Sequence, residues 1–228
     1  ARVTSNTGGG GNAGDINITI ANDIYSNQNL SPADDDERAS TRVEISSANL
    51  AVQSPDDKFD LGASGTITVV AGNLIDLNNT KVSALRRSSN SENTSPSEVR
   101  LVVTDGDLIG RDLELTSATR GANEGGSVEI DASNIDLQNS QLLSFTTGEG
   151  NSGSVRVNTT NDFIGDDVTI GVESGNRTKG AAGAVTVTTG GDLTLTNSAV
   201  VAATQSNRII RNADGSERAP EGVIASAG

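Results

Sequence analysis

The stretch "GGSVEIDASNIDLQNSQLLSFTTGEGNSGSVRV", Gly125 to Val157, opens on Gly-Ser-Val-Glu-Ile and closes on Gly-Ser-Val-Arg-Val. The same five-residue pattern returns after 27 residues, so a structural repeat is the first reading to test. Working outward, the apolar-x-apolar pair at its head recurs at Ile16/Ile18, Val43/Ile45, Ile67/Val69, Val99/Leu101, Val128/Ile130, Val155/Val157 and Val185/Val187. Successive first members are separated by 27, 24, 32, 29, 27 and 30 residues. After each pair an Asn or Asp stands directly before another apolar residue: Asp23, Asn49, Asn73, Asp107, Asn134, Asp162 and Asp192. Glycines precede five of the pairs, at Gly11/Gly14, Gly62/Gly65, Gly125/Gly126, Gly150/Gly153 and Gly180/Gly183. A third apolar stretch closes several units, as in Lys81–Leu85, Gln141–Phe145 and Ala199–Ala203.

Alternation at period two specifies strands, and Gly or Asx between them specifies tight corners, for which positive φ is the expected geometry. Three short strands in roughly 28 residues cannot bury an apolar face alone, whereas coils stacked on one another can. The pattern therefore predicts an all-β, right-handed parallel β-helix of three strands per coil, with about seven coils stacked at ~4.8 Å. A sandwich of hairpins fits less well, since it leaves an Asx recurring at one place in every unit without a reason. Residues 1–228 read as one repeat domain, interrupted by excursions at 31–41, 86–97 and 206–221.

Composition narrows the function. His, Cys, Met and Trp are absent and only Tyr25, Phe59, Phe145 and Phe163 are aromatic, so Val, Ile, Leu and Ala must build the core. Without His or Cys, Ser/His/Asp and Cys/His catalysis is excluded. A formal charge of −14 opposes nucleic acid or an anionic membrane as partner. No Gly-Lys-Ser/Thr follows the glycines, so no phosphate loop is encoded.

The chain resembles the filamentous-haemagglutinin-like exoproteins of two-partner secretion, with repeats of the cyanobacterial type. Gly125 to Gly153 and "TGGGGNAGDINI" at Thr7–Ile18 carry the resemblance, which covers most of the chain. It implies an extracellular or bacterial-cell-surface protein that crosses the outer membrane through a dedicated transporter, then folds as a β-helix and serves as an adhesin, surface filament or matrix component of a biofilm. The family's N-terminal secretion domain is not found in this sequence. The expected role is structural and non-catalytic, with copies stacked end to end or surface carbohydrate as partners; a carbohydrate-active β-helix is the alternative.

Three constellations in the chain bear on chemistry. The seven Asx residues are expected to stack at one corner as a structural ladder. Asp166-Asp167 is similar to the paired carboxylates of β-helical pectin hydrolases, but the aligned residues at Arg111-Asp112 break the pair, so Asp112 and Asp167 read as entries to a strand. Acidic loops at Ser31–Arg38, Ser54–Asp60 and Gly10–Asp15 would suit Ca²⁺, yet solvated charge is the default and no cofactor is assigned. Outward positions of the first strand run Asn17, Glu44, Thr68, Arg100, Glu129, Arg156 and Thr186, a ladder of alternating charge. The excursions are expected to leave one longitudinal edge at the glycine corner, carrying Asp34, Asp35, Asp36, Arg86, Arg87, Arg208 and Arg211.

Overall fold

The computed structural model describes residues 1–7, 12–26, 42–49, 64–86, 97–120, 124–147, 150–174, 181–204, 210–211 and 217–218. Among these every regular element is a strand, and the strands form parallel sheets wound into a β-solenoid of about four turns. One sheet of nine strands holds β1 (Arg2–Thr7), β3 (Asp23–Ser26), β4 (Val43–Asn49), β6 (Leu74–Arg86), β8 (Asp107–Thr119), β10 (Asn134–Thr146), β12 (Phe163–Ser174), β14 (Leu193–Thr196) and β15 (Ala199–Thr204). The other stacks β2 (Ile16–Ile20), β5 (Ile67–Ala71), β7 (Glu98–Val103), β9 (Ser127–Ala132), β11 (Val155–Thr159) and β13 (Val185–Thr189) in that order. A two-residue antiparallel pair joins β16 (Ile210–Arg211) to β17 (Glu217–Arg218).

Register explains the repeat. Ile16, Ile67, Val99, Val128, Val155 and Val185 face one another across successive strands, and Ile18, Val69, Leu101, Ile130, Val157 and Val187 form the next inward column. Ile24, Ile75, Leu108, Ile135, Phe163 and Leu193 make a third. Val3, Ile45, Val82, Leu115, Leu142, Ile170 and Val200 make a fourth. Inward positions are sealed: Val99, Leu108, Leu115, Val128, Val155 and Phe163 are all fully buried. Each such side chain contributes roughly 1.5–3 kcal/mol by leaving water. Sealing weakens at both ends, where Val3 and Ile20 are 44% exposed and Val185, Val187, Leu193 and Leu195 are half-buried.

The pairing corrects the expected register. Val43–Asn49 does not join the sheet of first strands; it lies between β1 and the second half of β6, with Ile45 between Val3 and Val82. Ile16 pairs directly with Ile67. Among the described residues the sheet of first strands has six members. Period two looks alike on every side of a solenoid, which is why the Val43/Ile45 pair passed for a first strand.

The corner glycines are explained by close approach of neighbouring coils, not by the positive φ expected of them. A Cβ on Gly126 would lie 1.5 Å from the Ser97 carbonyl oxygen and 2.4 Å from Ser117 Oγ. Buried serines of the third strand fasten this corner: Ser117 Oγ donates to Ser97 O at 3.0 Å and Ser144 Oγ to Gly126 O at 2.7 Å. Two coils before Ser117, Gly65 N donates to Ser47 Oγ at 2.9 Å.

Candidate functional site

The expected Asx ladder forms in part. Asp23, Asp107, Asn134, Asp162 and Asp192 each stand one residue before the column of Ile24, Leu108, Ile135, Phe163 and Leu193. Leu74 fills that place in its own coil, because Leu74 pairs with Asp23 and Asp107; Asn73 sits one residue earlier than expected. Asn49 belongs elsewhere, ending β4 opposite Thr7. The chemistry of the remaining column is capping from coil to coil. Asn134 Nδ2 donates to Asp107 Oδ1 at 2.7 Å, Asp162 N to Asn134 Oδ1 at 3.3 Å and Asp192 N to Asp162 Oδ1 at 2.8 Å. A short side-chain acceptor at this place satisfies backbone N–H groups that the turning chain leaves unpaired.

A second Asx column went unrecognised in the sequence. Asn79, Asp112, Asn139, Asp167 and Asn197 all have positive φ, between 45° and 56°; the first four bend strands β6, β8, β10 and β12 of the nine-stranded sheet between their two halves, and Asn197 stands between β14 and β15. The ladder skips them: Asn78 pairs with Arg111 and Thr80 with Leu113. Asx tolerates this left-handed backbone better than other L residues do. Asp112 and Asp167 are thus bend residues rather than strand entries, which also accounts for the Asp166-Asp167 pair. Beside them, Arg111 grips Asp136 with Nη1 on Oδ1 at 3.2 Å and Nη2 on Oδ2 at 2.8 Å. The available signal was the run Leu-x-Asn-Thr/Ser at Leu77–Thr80, Leu137–Ser140 and Leu195–Ser198.

The outward ladder of the six-stranded sheet is Asn17, Thr68, Arg100, Glu129, Arg156 and Thr186, without Glu44. Arg100 pairs with Glu129 and with Asp131, both at 3.2 Å. Glu44 belongs to a second charge ladder, Arg2–Glu44–Lys81–Glu114, on the other sheet. There Arg2 meets Glu44 at 3.3 Å, and Glu114 holds Lys81 on one side and Arg42 at 2.6 Å on another. Burial pushes the Glu114 carboxyl up, but the hydrogen bonds and charges of Lys81 and Arg42 outweigh it and hold it below its ordinary value.

Corner length shapes the surface. The chain takes five residues to pass from Val103 to Leu108, three from Ala132 to Ile135 and four from Thr159 to Phe163. An open notch of about 390 Å³ lies along these corners, lined by Arg100, Thr104, Asp131, Ser133, Asn158 and Thr160 among others. Asp131 is fixed inside it by Asn158 Nδ2 at 2.9 Å and Arg100 Nη2 at 3.2 Å.

Of the expected edge, Arg86 turns out to end β6 inside the shaft at 1% exposure, and its burial lowers the guanidinium pKa. Residues 31–41, Arg87, Arg208 and the acidic loops at 31–38 and 54–60 lie outside the described residues. Of the described residues that flank them, Ser26 pairs with Leu77 and Val43 with Thr80, on either side of the left-handed bend, while Arg86 ends β6 and Ser97 precedes β7. Asp15 Oδ1 accepts from Thr66 N at 2.8 Å, a coil-to-coil cap. Among the described residues no group of three His, Cys, Asp or Glu side chains is placed to hold a metal ion. No family model, curated protein or solved structure matches this chain.

Proposed function

We propose that the chain is a shaft segment or subunit of an extracellular surface or matrix fibre, structural and non-catalytic, reaching that surface by the two-partner route its repeats resemble. In its finer geometry the shaft is a right-handed solenoid with three straight runs per coil, the third created by the left-handed bend. The observation that carries the reading is the unbroken register from β2 to β13, with inner columns that lose their cover only at the two ends. Such a stack is an elastic rod by construction, since every coil contacts only its neighbours. Electron microscopy of the native material tests it: rods or filaments of coil-stacked protein are expected, and isolated particles would refute it.

The second reading, a carbohydrate-binding surface, is favoured by the notch. It sets a buttressed carboxylate, a guanidinium and three threonines on one wall.

A further inference from the structure

The notch beside Asp131 lies at a corner that the structure describes throughout. The chain turns there from the six-stranded sheet into the nine-stranded sheet at residues 20–23, 71–74, 103–107, 132–134, 159–163 and 189–193. No segment outside the described residues is inserted at any of these turns. The notch volume of about 390 Å³ stands near the small end of the roughly 300–1,000 Å³ typical of ligand sites, which limits it to a small ligand.

Three outward residues on adjacent strands line one wall. Val102 pairs with Asp131 and Asp131 with Asn158, so an aliphatic group, a carboxylate and an amide stand in line at ~4.8 Å intervals. The carboxylate is held on both sides: Oδ1 accepts from Asn158 Nδ2 at 2.9 Å and Oδ2 from Arg100 Nη2 at 3.2 Å. A carboxylate offers about four lone-pair sites, so roughly half of its acceptor capacity is still open. The Asp131 side chain accordingly keeps 30% of its exposure. Asn158 keeps its Oδ1 and one Nδ2–H, and the hydroxyls of exposed Thr104 and Thr160 stand at the same notch. Acceptors and donors thus lie side by side next to an apolar surface. Because β7, β9 and β11 already fix them, little ordering is needed on binding.

Charge decides which small ligand suits this wall. Arg100 lies 3.2 Å from both Glu129 and Asp131, so one positive charge faces two negative ones and the set stays acidic. Asp105 and Asp107 in the adjoining turn add to it. A carboxylate or sulfate on a ligand is repelled by this set. A ligand ammonium meets the Arg100 guanidinium already seated on Asp131. A hydroxyl meets neither obstacle, since it donates to Asp131 and accepts from Asn158 or Arg100. Neighbouring hydroxyls on a ring whose C–H groups form an apolar face match the wall, and that is the surface of an uncharged sugar. The geometry points to a site for an uncharged sugar ring, with Asp131 and Asn158 on two neighbouring hydroxyls and Val102 against the C–H face. Uronic acids are rejected. The inference rests on the carbohydrate reading above and names the class of sugar and the residues that select it.

The test is a titration of the isotope-labelled full-length chain, followed through its backbone amide signals. The probes are the methyl glycosides of glucose, galactose and mannose, and those of glucuronic, galacturonic and mannuronic acid. At least one uncharged glycoside should move the amides of Asp131, Ser133 and Thr160 saturably, with a dissociation constant of about 1–10 mM, as weak as an open site implies. Its uronic-acid counterpart should bind at least about tenfold more weakly. Asp131→Asn keeps the shape and removes one charge, so it should weaken the uncharged glycoside at least about fivefold and narrow the gap to the uronic acid. Asp166→Asn, at the left-handed bend, should change neither. The amide shifts of the parent locate the site even where a variant loses stability. A uronic acid binding as tightly as its uncharged counterpart would overturn the inference. Saturable shifts confined to another surface would overturn it while leaving the carbohydrate reading in place. No shifts with any uncharged glycoside would remove both.

Discussion

Alanine at Gly126 tests the stacked corner most directly, with alanine at Gly14 as its internal reference. Both glycines precede a first strand by two residues and so occupy the same place in the repeat. At Gly126 the added methyl would sit 1.5 Å from Ser97 O, a backbone atom held by the Ser127 N–H at 3.0 Å and by Ser117 Oγ at 3.0 Å. The corner can accept it only by opening, which also strains the bond from Ser144 Oγ to Gly126 O at 2.7 Å. Three hydrogen bonds at about 1 kcal/mol net each, with buried serine hydroxyls left without acceptors, put the loss at about 3–5 kcal/mol. At Gly14 the only close atom is Ser5 Oγ, at 3.0 Å on the end of the shaft, and a hydroxyl can swing aside. Gly14→Ala should therefore change stability by less than about 1 kcal/mol. In thermal unfolding of the isolated protein, Gly126→Ala should lower the midpoint by about 6–20 °C and Gly14→Ala by no more than about 4 °C. Equal shifts for the two variants would refute the close-approach explanation of the corner glycines.

Val155→Asp should cost several kcal/mol, because Val155 is fully buried between Val128 and Val185 and a carboxylate there has no partner; a denaturation midpoint within error of the parent would contradict the inward column. Glu114→Gln tests the second charge ladder through pH. The depressed carboxyl contributes stability above the ordinary carboxylate range and loses it as pH falls through its folded-state value, so parent and variant should differ most near neutrality and converge in acid. Parallel stability curves across that range would show that Lys81 and Arg42 do not act through the charge of Glu114.

Parallel stacking, the inward columns at Val128, Ile130, Val155 and Val157, and the alternating Arg100–Glu129–Arg156 positions were all legible in the amino-acid sequence. They follow from period two, from glycines two residues ahead of five of the seven pairs, and from intervals of nearly constant length. Those signals are local, and a local signal cannot say which side of a solenoid a strand occupies. Val43–Ile45 has the same pattern as Val155–Val157, yet hydrogen bonding to β1 and β6 sends it to the other sheet, taking Glu44 and Asn49 with it. Asn73 failed for a related reason. Corners of three, four and five residues are all sterically open, so only the pairing of Ile75 with Ile24 and Leu108 decides which residue reaches the ladder. Arg86, expected on an outer edge, is carried inward because β6 runs one residue further than its apolar stretch. Leucine and glycine alternate along the chain at Leu77, Gly110, Leu137, Gly165 and Leu195. Only the fold sets those five residues, 27 to 33 positions apart, one above another, so that Leu137 Cδ2 and Leu195 Cδ2 reach over Gly110 and Gly165.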